Sequence, residues 1–283
     1  MTIDQKKNLL TLHNYFRLRM TYAAVVGSYE IHARNAMAVN RLLMVYEDDG
    51  RGGRVIRDLD TGRQLPMRTG FLYFVPCNYE TGFDITPGIS FVSLHFNLDL
   101  FYGFDLFENY RHCEMIENPS LVSSTRRLMD CGDEVEILCR VNELIFGFCA
   151  SLLAGRTVNI QKNIVIWRKY EKILGFIQKS GDATATVEML ADMIGMRKDV
   201  FSRTFTRDMG ITPKDFLSNT LMRKASEMLL TPGVTVRSVA EQLNFSSEYY
   251  FSRFFRKHAG LAPKAFQRFN LVAPQCGACP QPN

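Results

Sequence analysis

Four residues late in the chain, Tyr249, Arg253, Arg256 and Lys257, are spaced i, i+4, i+7, i+8, which puts them on one face of an α-helix. A phenol, two guanidiniums and an ammonium in one stripe are groups that grip phosphates and read the edges of bases. The opposite face is apolar, with Phe251, Phe254 and Phe255 at i, i+3, i+4. The segment also carries the punctuation of a helix. Ser246 and Ser247 offer capping hydroxyls at its start, Gly260 suits the left-handed residue that ends it, and Pro263 opens the next helical turn. A solvated basic face has the same composition, so this stripe alone does not decide for a partner.

The elements that must position it are legible on either side. Val236 to Leu243 predicts a short helix with Val239, Ala240 and Leu243 inward, and the break at Asn244-Phe245 turns the chain into the basic helix, a helix-turn-helix. The unit occurs twice. Thr186-Val187 and Ala191 recur 49 positions on as Thr235-Val236 and Ala240. Phe201-Ser202-Arg203, Phe205, Gly210, Pro213-Lys214 and Phe216 recur 50 positions on as Phe251-Ser252-Arg253, Phe255, Gly260, Pro263-Lys264 and Phe266. A repeat at this period marks a duplicated supersecondary unit, and its one-residue slip falls in the turn, where insertion is tolerated. The outward stripe of the first copy is Asp199, Arg203, Thr206 and Arg207. The apolar stripes match and the solvent stripes differ, as two similar scaffolds reading different short sequences require.

The stretch from about Tyr170 to Phe269, carried by AEQLNFSSEYYFSRFFRKHAGLAPKAF and its weaker copy ADMIGMRKDVFSRTFTRDMGITPKDF, resembles the AraC family of bacterial transcription regulators. The resemblance covers about a third of the chain. It implies two helix-turn-helix motifs joined by one long helix, for which Lys214 to Leu230 is the candidate. Two positions depart from the family pattern: Arg197 stands where a small capping residue is frequent, and Leu221 where the joining helix often has an arginine. The expected DNA contacts are Lys198, Asp199, Ser202, Arg203 and Arg207 in the first copy. In the second they are Ser247, Glu248, Tyr249, Ser252, Arg253, Arg256 and Lys257. Arg203 and Arg253 are the candidates for a bidentate pair to guanine. Arg207, Arg256 and Lys257 lie further along and suit phosphates. Lys198 and Asp199, against Glu248 and Tyr249, are where the copies differ in base preference.

With 283 residues the chain has length for two domains, and 46% apolar residues supply real cores. The start MTIDQKKNLL lacks the order of a signal peptide. The longest apolar run, Leu144 to Ala154, is too short for a membrane span. The seven cysteines are odd in number and scattered, which argues against a secreted disulfide framework. These features read as a cytoplasmic protein without a membrane partner. From Trp167 to Asn270 there are 17 Lys and Arg against 10 Asp and Glu, a net +7, while the whole chain carries 34 and 29 for +5. The positive charge therefore belongs to the duplicated unit, and the rest is mildly acidic.

From about Tyr22 to Asn97 the chain reads as strands and turns. TYAAVVGSYE, RLLMVYE, RVIRDL, FLYFV and ISFVSLHFN alternate with Gly- and Pro-containing breaks. Short strands at this spacing suggest an antiparallel barrel or jelly roll, although a sandwich fits the pattern equally. The family resemblance favours a cupin-like sensor barrel that binds a small-molecule effector, a sugar or other metabolite. His32 and His95 stand far apart with no HxH, so neither a metal nor any other cofactor is expected. His95 alternates with Phe91 and Ser93 on one strand. It reads first as a hydrogen-bonded strand histidine, and as a candidate for effector contact if that face lines the barrel.

Helices are expected from Ser120 to Asp130 and from Glu134 to Leu153. In the second, Leu138, Val141, Ile145, Phe148 and Leu152 make a coiled-coil-like seam. It packs on its own barrel or, as the resemblance implies, forms a homodimer. The fold class is α+β: residues 1–155 an antiparallel effector-binding and dimerisation barrel with flanking helices, 156–164 a linker, 165–270 the all-α double helix-turn-helix, and 271–283 a flexible tail. Cys276 and Cys279 in that tail form a CxxC with no partner pair at zinc spacing. The rival readings are a cupin-type enzyme or binding protein with a fused helical domain, and a ligand-free architectural DNA-binding protein. The missing metal cluster argues against the enzyme.

Overall fold

The computed structural model describes residue 13 and residues 16–27, 30–101, 104–129, 131–154 and 160–271. They collect into two compact units that are not contiguous in sequence. One holds Tyr22–Phe96 and Tyr110–Val158; the other holds Met1–Thr21, Asn97–Asn109 and Asn159–Asn283. Among the described residues, 16–21, 97–101 and 104–109 fall in the unit that holds the helices, whereas a linear division at residue 155 counts them with the strands. The physical reason is a buried charge cluster. Asp99 pairs with Arg223 at 3.0 Å and with Arg19 at 3.2 Å.

Ten strands run through the described residues: β1 (Arg17–Gly27), β2 (Ile31–Asn35), β3 (Asn40–Asp48), β4 (Val55–Asp58), β5 (Gln64–Pro66), β6 (Phe71–Val75), β7 (Thr81–Ile85), β8 (Ile89–Phe101), β9 (Phe104–Asp105) and β10 (Glu114–Glu117). They form one sheet in the order β1-β8-β3-β6-β10, with β9 on β8, and a second in the order β2-β7-β4-β5. The choice between barrel and sandwich resolves as two antiparallel sheets around a shared interior, the double-sheet form of barrel. Leu43, Val45, Tyr73, Val75 and Phe91 of the first sheet meet Ile56, Leu65, Phe83 and Ile85 of the second in one core.

The other face of the first sheet is covered as well. Leu42, Met44, Leu72, Phe74 and Leu94 are buried, beside the helices α1 (Pro119–Met129) and α2 (Glu134–Leu153). Strands buried on both faces read as unbroken apolar runs, and for that reason RLLMV and FLYFV were legible. In α2 the side chain of Asp133 caps the amide of Glu136 at 2.8 Å, and Phe148 stacks on Phe74 with ring centroids 5.0 Å apart.

That contact corrects the expected dimer seam. Val141, Ile145, Phe148 and Leu152 are all buried, and of the five only Leu138 is exposed. The 3-4 spacing marked the helix's core face. The linker at 156–164 also needs correction in part. Residues 156–159 lie outside the described residues, but 160–164 open helix α3 (Ile160–Ser180). Ile160, Ile164 and Trp167 stand at i, i+4, i+7, a helical period hidden among polar neighbours. The tail with Cys276 and Cys279 lies outside the described residues, apart from Leu271, which ends the last helix. No helix of the described residues is long and apolar enough to cross a membrane.

The helical unit continues with α4 (Val187–Met193), α5 (Lys198–Met209), α6 (Pro213–Leu229), α7 (Val236–Gln242), α8 (Glu248–Ala259) and α9 (Pro263–Leu271).

Candidate nucleic-acid interface

The two helix-turn-helix motifs, α4-α5 and α7-α8, are built by the same local chemistry. Thr186 and Thr235 cap α4 and α7 by accepting from the amides of Met189 and Ser238. The turns are equivalent: the Met196 amide donates to Ala191 at 3.0 Å and the Phe245 amide to Ala240 at 2.9 Å. Each turn needs one left-handed residue, Gly195 (φ 66°) in the first and Asn244 (φ 55°) in the second. Asn is among the few non-glycine residues that adopt this conformation readily. Ser246, just past the second turn, is the extra residue behind the change of period from 49 to 50. Ser247 then caps α8 through the Tyr250 amide, whereas Arg197 at the start of α5 makes no side-chain cap bond. Gly210 and Gly260 close both helices in the left-handed conformation.

Each basic helix is held by its aromatic face. Phe205 packs on Tyr170, Phe201 and Phe216 at ring distances of 5.0, 5.3 and 5.4 Å. Phe255 packs on Phe251 at 5.8 Å and Phe266 at 5.2 Å. Phe254, read as core from its spacing, is only partly buried and lies between Phe245 and His258. The motifs are also bonded to one another within their unit. The Ala183 amide donates to the Leu243 carbonyl at 2.9 Å. Asn244 Nδ2 donates to Asp182 Oδ2 at 2.6 Å, and Lys224 Nζ on α6 reaches the Gly181 carbonyl at 2.8 Å. Gln267 on α9 donates to the carbonyls of Leu229 and Val234 at the end of α6 and just beyond it. Both basic helices also pack on the same joining helix, which at 17 residues is about 25 Å long.

Opposite the aromatic faces lie the expected contact residues. Lys198, Asp199, Arg203, Arg207, Ser247, Glu248, Tyr249, Arg253, Arg256 and Lys257 are exposed, and Ser202 and Ser252 are half-buried at the same place in each helix. Tyr250, absent from the expected set, is exposed too, with its ring edge-on to Tyr249 at 5.8 Å. Its position next to Tyr249 hid it, because neighbours in sequence do not share a helix face by spacing alone.

The two stripes differ in electrostatics. In the first copy Lys198 pairs with Glu188, Arg203 with Asp199 at 3.6 Å, and Arg207 with Asp208 at 3.2 Å. In the second, Arg253 and Lys257 have no ion-pair partner among the described residues. Exposed pairs contribute little, so a phosphate or base can replace Asp199 at Arg203. Asp208 is different. Although burial pushes its carboxyl upward, bonds from Lys169 at 2.5 Å, Tyr170 at 2.9 Å and Arg207 hold it below the usual carboxylate range. It anchors α3 to α5.

Known proteins share this architecture. Residues 190–268 match the family model described as a helix-turn-helix domain. An uncharacterised HTH-type transcriptional regulator of Escherichia coli K12, YidL, is 31% identical over 98 residues, 35% of this chain and 33% of that protein. The HTH-type transcriptional regulator AlkR of Acinetobacter baylyi is 30% identical over 83 residues, 29% of this chain and 27% of that protein. The chain thus spans no more than about a third of the length of these two relatives. Among solved structures, ToxT from Vibrio cholerae O395 shares the fold at a TM-score of 0.59 and 9% identity, covering 92% of this chain and 100% of that one. ToxT from strain SCE256, solved with an unsaturated fatty acid bound, gives 0.58 and 10% identity, covering 92% and 98%. Two sheets before a helical region are therefore the arrangement this chain shares with a known structure, and its last hundred or so residues carry an AraC-type helix-turn-helix domain of the kind found in bacterial transcription regulators.

Proposed function

We propose that this protein is a DNA-binding transcription regulator that reads two successive major grooves through α5 and α8 and responds to a small molecule held by its β-rich unit. One observation carries the reading. Arg203 and Arg253 occupy the same exposed place on two helices, each closed by a left-handed glycine, that pack on one joining helix. With α6 about 25 Å long and the width of the motifs added, the two helices suit half-sites about one DNA turn, roughly 34 Å, apart. The ToxT likeness supports an effector, since that protein has been solved with an unsaturated fatty acid bound. A cytoplasmic location follows from DNA as the partner. A homodimer, which the resemblance implies, would use the exposed Val135, Leu138 and Phe146 of α2 in place of the buried seam.

The roles of the basic residues separate in one experiment. Binding selections on randomised duplexes, repeated at several salt concentrations with the full chain, are expected to give a steep fall in affinity with salt. Arg253→Ala should cost about 1–3 kcal/mol and relax preference at one or two base pairs, while Lys257→Ala should weaken all sequences alike and lower the salt slope by about one. Affinity that stays flat with salt would sink the reading. An unchanged sequence preference in Arg253→Ala, with a reduced slope, would make Arg253 a phosphate clamp.

A further inference from the structure

Inside the β-rich unit a cation stands without a counter-charge among the described residues. Arg41 on β3 lies on the same strand face as Leu43 and Val45, so it points into the space between the sheets, and it is 4% exposed. Its guanidinium lies over the Phe83 ring of the opposite sheet, 4.7 Å from the centroid. Nη1 donates to Asn35 Oδ1 at 2.7 Å. Nε and Nη2 are buried and have no hydrogen-bond partner among the described residues. Those two nitrogens are the edge of a guanidinium whose N–H bonds run parallel, the fork that a carboxylate fills with both oxygens.

No carboxylate among the described residues balances this charge. Burial draws the Arg41 pKa down to about 10, and the group working against that is the Cys113 sulfur. Cys113 is itself buried, which pushes its thiol up to about 11; it is neutral at physiological pH, while Arg41 stays charged. A buried, unpaired charge is among the costliest features a fold can carry. A ligand group that fills the two open donors would offset that cost.

The neighbours shape what that is. His95 is the direct cross-strand partner of Arg41 in the β3–β8 register. Its ring packs on Tyr22 of β1 at 4.7 Å, and it is partly exposed. Desolvation, with Arg41 adding to it, takes the His95 pKa down to about 3. At neutral pH it is an uncharged imidazole with one donor and one acceptor. Arg41 and His95 together therefore present a single positive charge, enough for a monoanion and too little for a phosphate dianion. Tyr22 and Phe83 supply aromatic walls for an apolar body.

We infer that the β-rich unit binds a small monocarboxylate with an apolar or aromatic body, its two oxygens on Nε and Nη2 of Arg41, beside His95. This rests on the effector reading above and names the effector's chemical class. It turns His95 from a strand histidine into a lining residue.

The test uses the full chain and a defined series: acetate, benzoate, octanoate and decanoate, with benzamide and octanamide as uncharged matches. Thermal melting and titration calorimetry are read on wild type, Arg41→Met and Arg41→Lys. At least one acid is expected to raise the wild-type Tm while its amide does not. Its Kd should weaken at least tenfold in Arg41→Met and by less in Arg41→Lys, which keeps the charge and loses the fork. Arg41→Met should melt no lower than wild type without ligand, since it removes an uncompensated buried charge; if it fails to fold, Arg41→Lys carries the comparison. The proposal is overturned if no acid raises Tm, if acid and amide act alike, or if the acid binds both variants as wild type does. A neutral sugar that stabilises wild type and Arg41→Met equally would overturn the carboxylate and leave the effector reading standing. Loss of DNA binding in the same preparations would strike the regulator reading instead.

Discussion

Phe205→Ala is expected to lower stability by about 4–5 kcal/mol and to abolish DNA binding, and Phe255→Ala by about 3–4 kcal/mol. The two residues hold the same place in the repeat and are both fully buried, so a buried-area argument gives them equal cost. Their ring contacts differ. Phe205 meets three aromatic rings, Tyr170, Phe201 and Phe216. Phe255 meets two, Phe251 and Phe266. An aromatic pair contributes about 0.5–1.5 kcal/mol beyond its burial, so the difference amounts to roughly one pair. Tyr170 is the asymmetric member, supplied by α3 ahead of the first motif. The single tryptophan, Trp167, packs on the cluster around Phe205. Its fluorescence during urea unfolding of the full chain gives the readout. Equal midpoints for the two variants, or a larger loss in Phe255→Ala, would show that ring contacts do not set the cost.

The helical half was legible in sequence because it states its structure twice. Caps, left-handed turns and aromatic stripes recur at a fixed offset, and each copy checks the other. Thr235 capping α7 repeats Thr186 capping α4, and Asn244 in the second turn repeats Gly195 in the first. The β-rich half was legible in β1, β3, β4, β6 and β8, most plainly where strands are buried on both faces, as in β3 and β6. β2, β5, β7, β9 and β10 were missed: His32 and Arg34 interrupt β2, Gly82 interrupts β7, and the other three are short. The seam on α2 was seen but left between two readings, because heptad spacing marks an apolar face and says nothing about which surface covers it. Arg41 was invisible for a related reason. An arginine inside RLLMV reads as the polar edge of a strand, and only the three-dimensional neighbours show that no described carboxylate meets it. Asp99 was hidden likewise, since its partners are distant in sequence, Arg19 before it and Arg223 well over a hundred residues later.

That last cluster sets the second large effect. Asp99→Ala is expected to cost about 3–5 kcal/mol. The Asp99 side chain is 1% exposed and Arg223 on α6 is 7% exposed, so their 3.0 Å pair is shielded from water and salt. Arg19 completes the group, 3.2 Å from Asp99 and also paired with Glu227 one helical turn beyond Arg223. Two cations and two carboxylates balance. Removing Asp99 leaves Arg223 buried without that carboxylate, which is where the cost arises. Arg223→Met should cost less, about 2–3 kcal/mol, because Asp99 keeps Arg19 as a partner. In the double variant Asp99→Leu with Arg223→Met, both charges of the pair leave together. Apolar groups of similar size then fill the site, and such replacements of buried pairs are close to neutral. The double variant should therefore be more stable than the sum of the single changes by at least about 2 kcal/mol, with little dependence on salt. Urea unfolding of the four proteins at low and high salt measures this. Additive losses within about 0.5 kcal/mol would mean that Asp99 and Arg223 stabilise the unit independently, and would remove the pair as the reason residues 97–109 group with the helices.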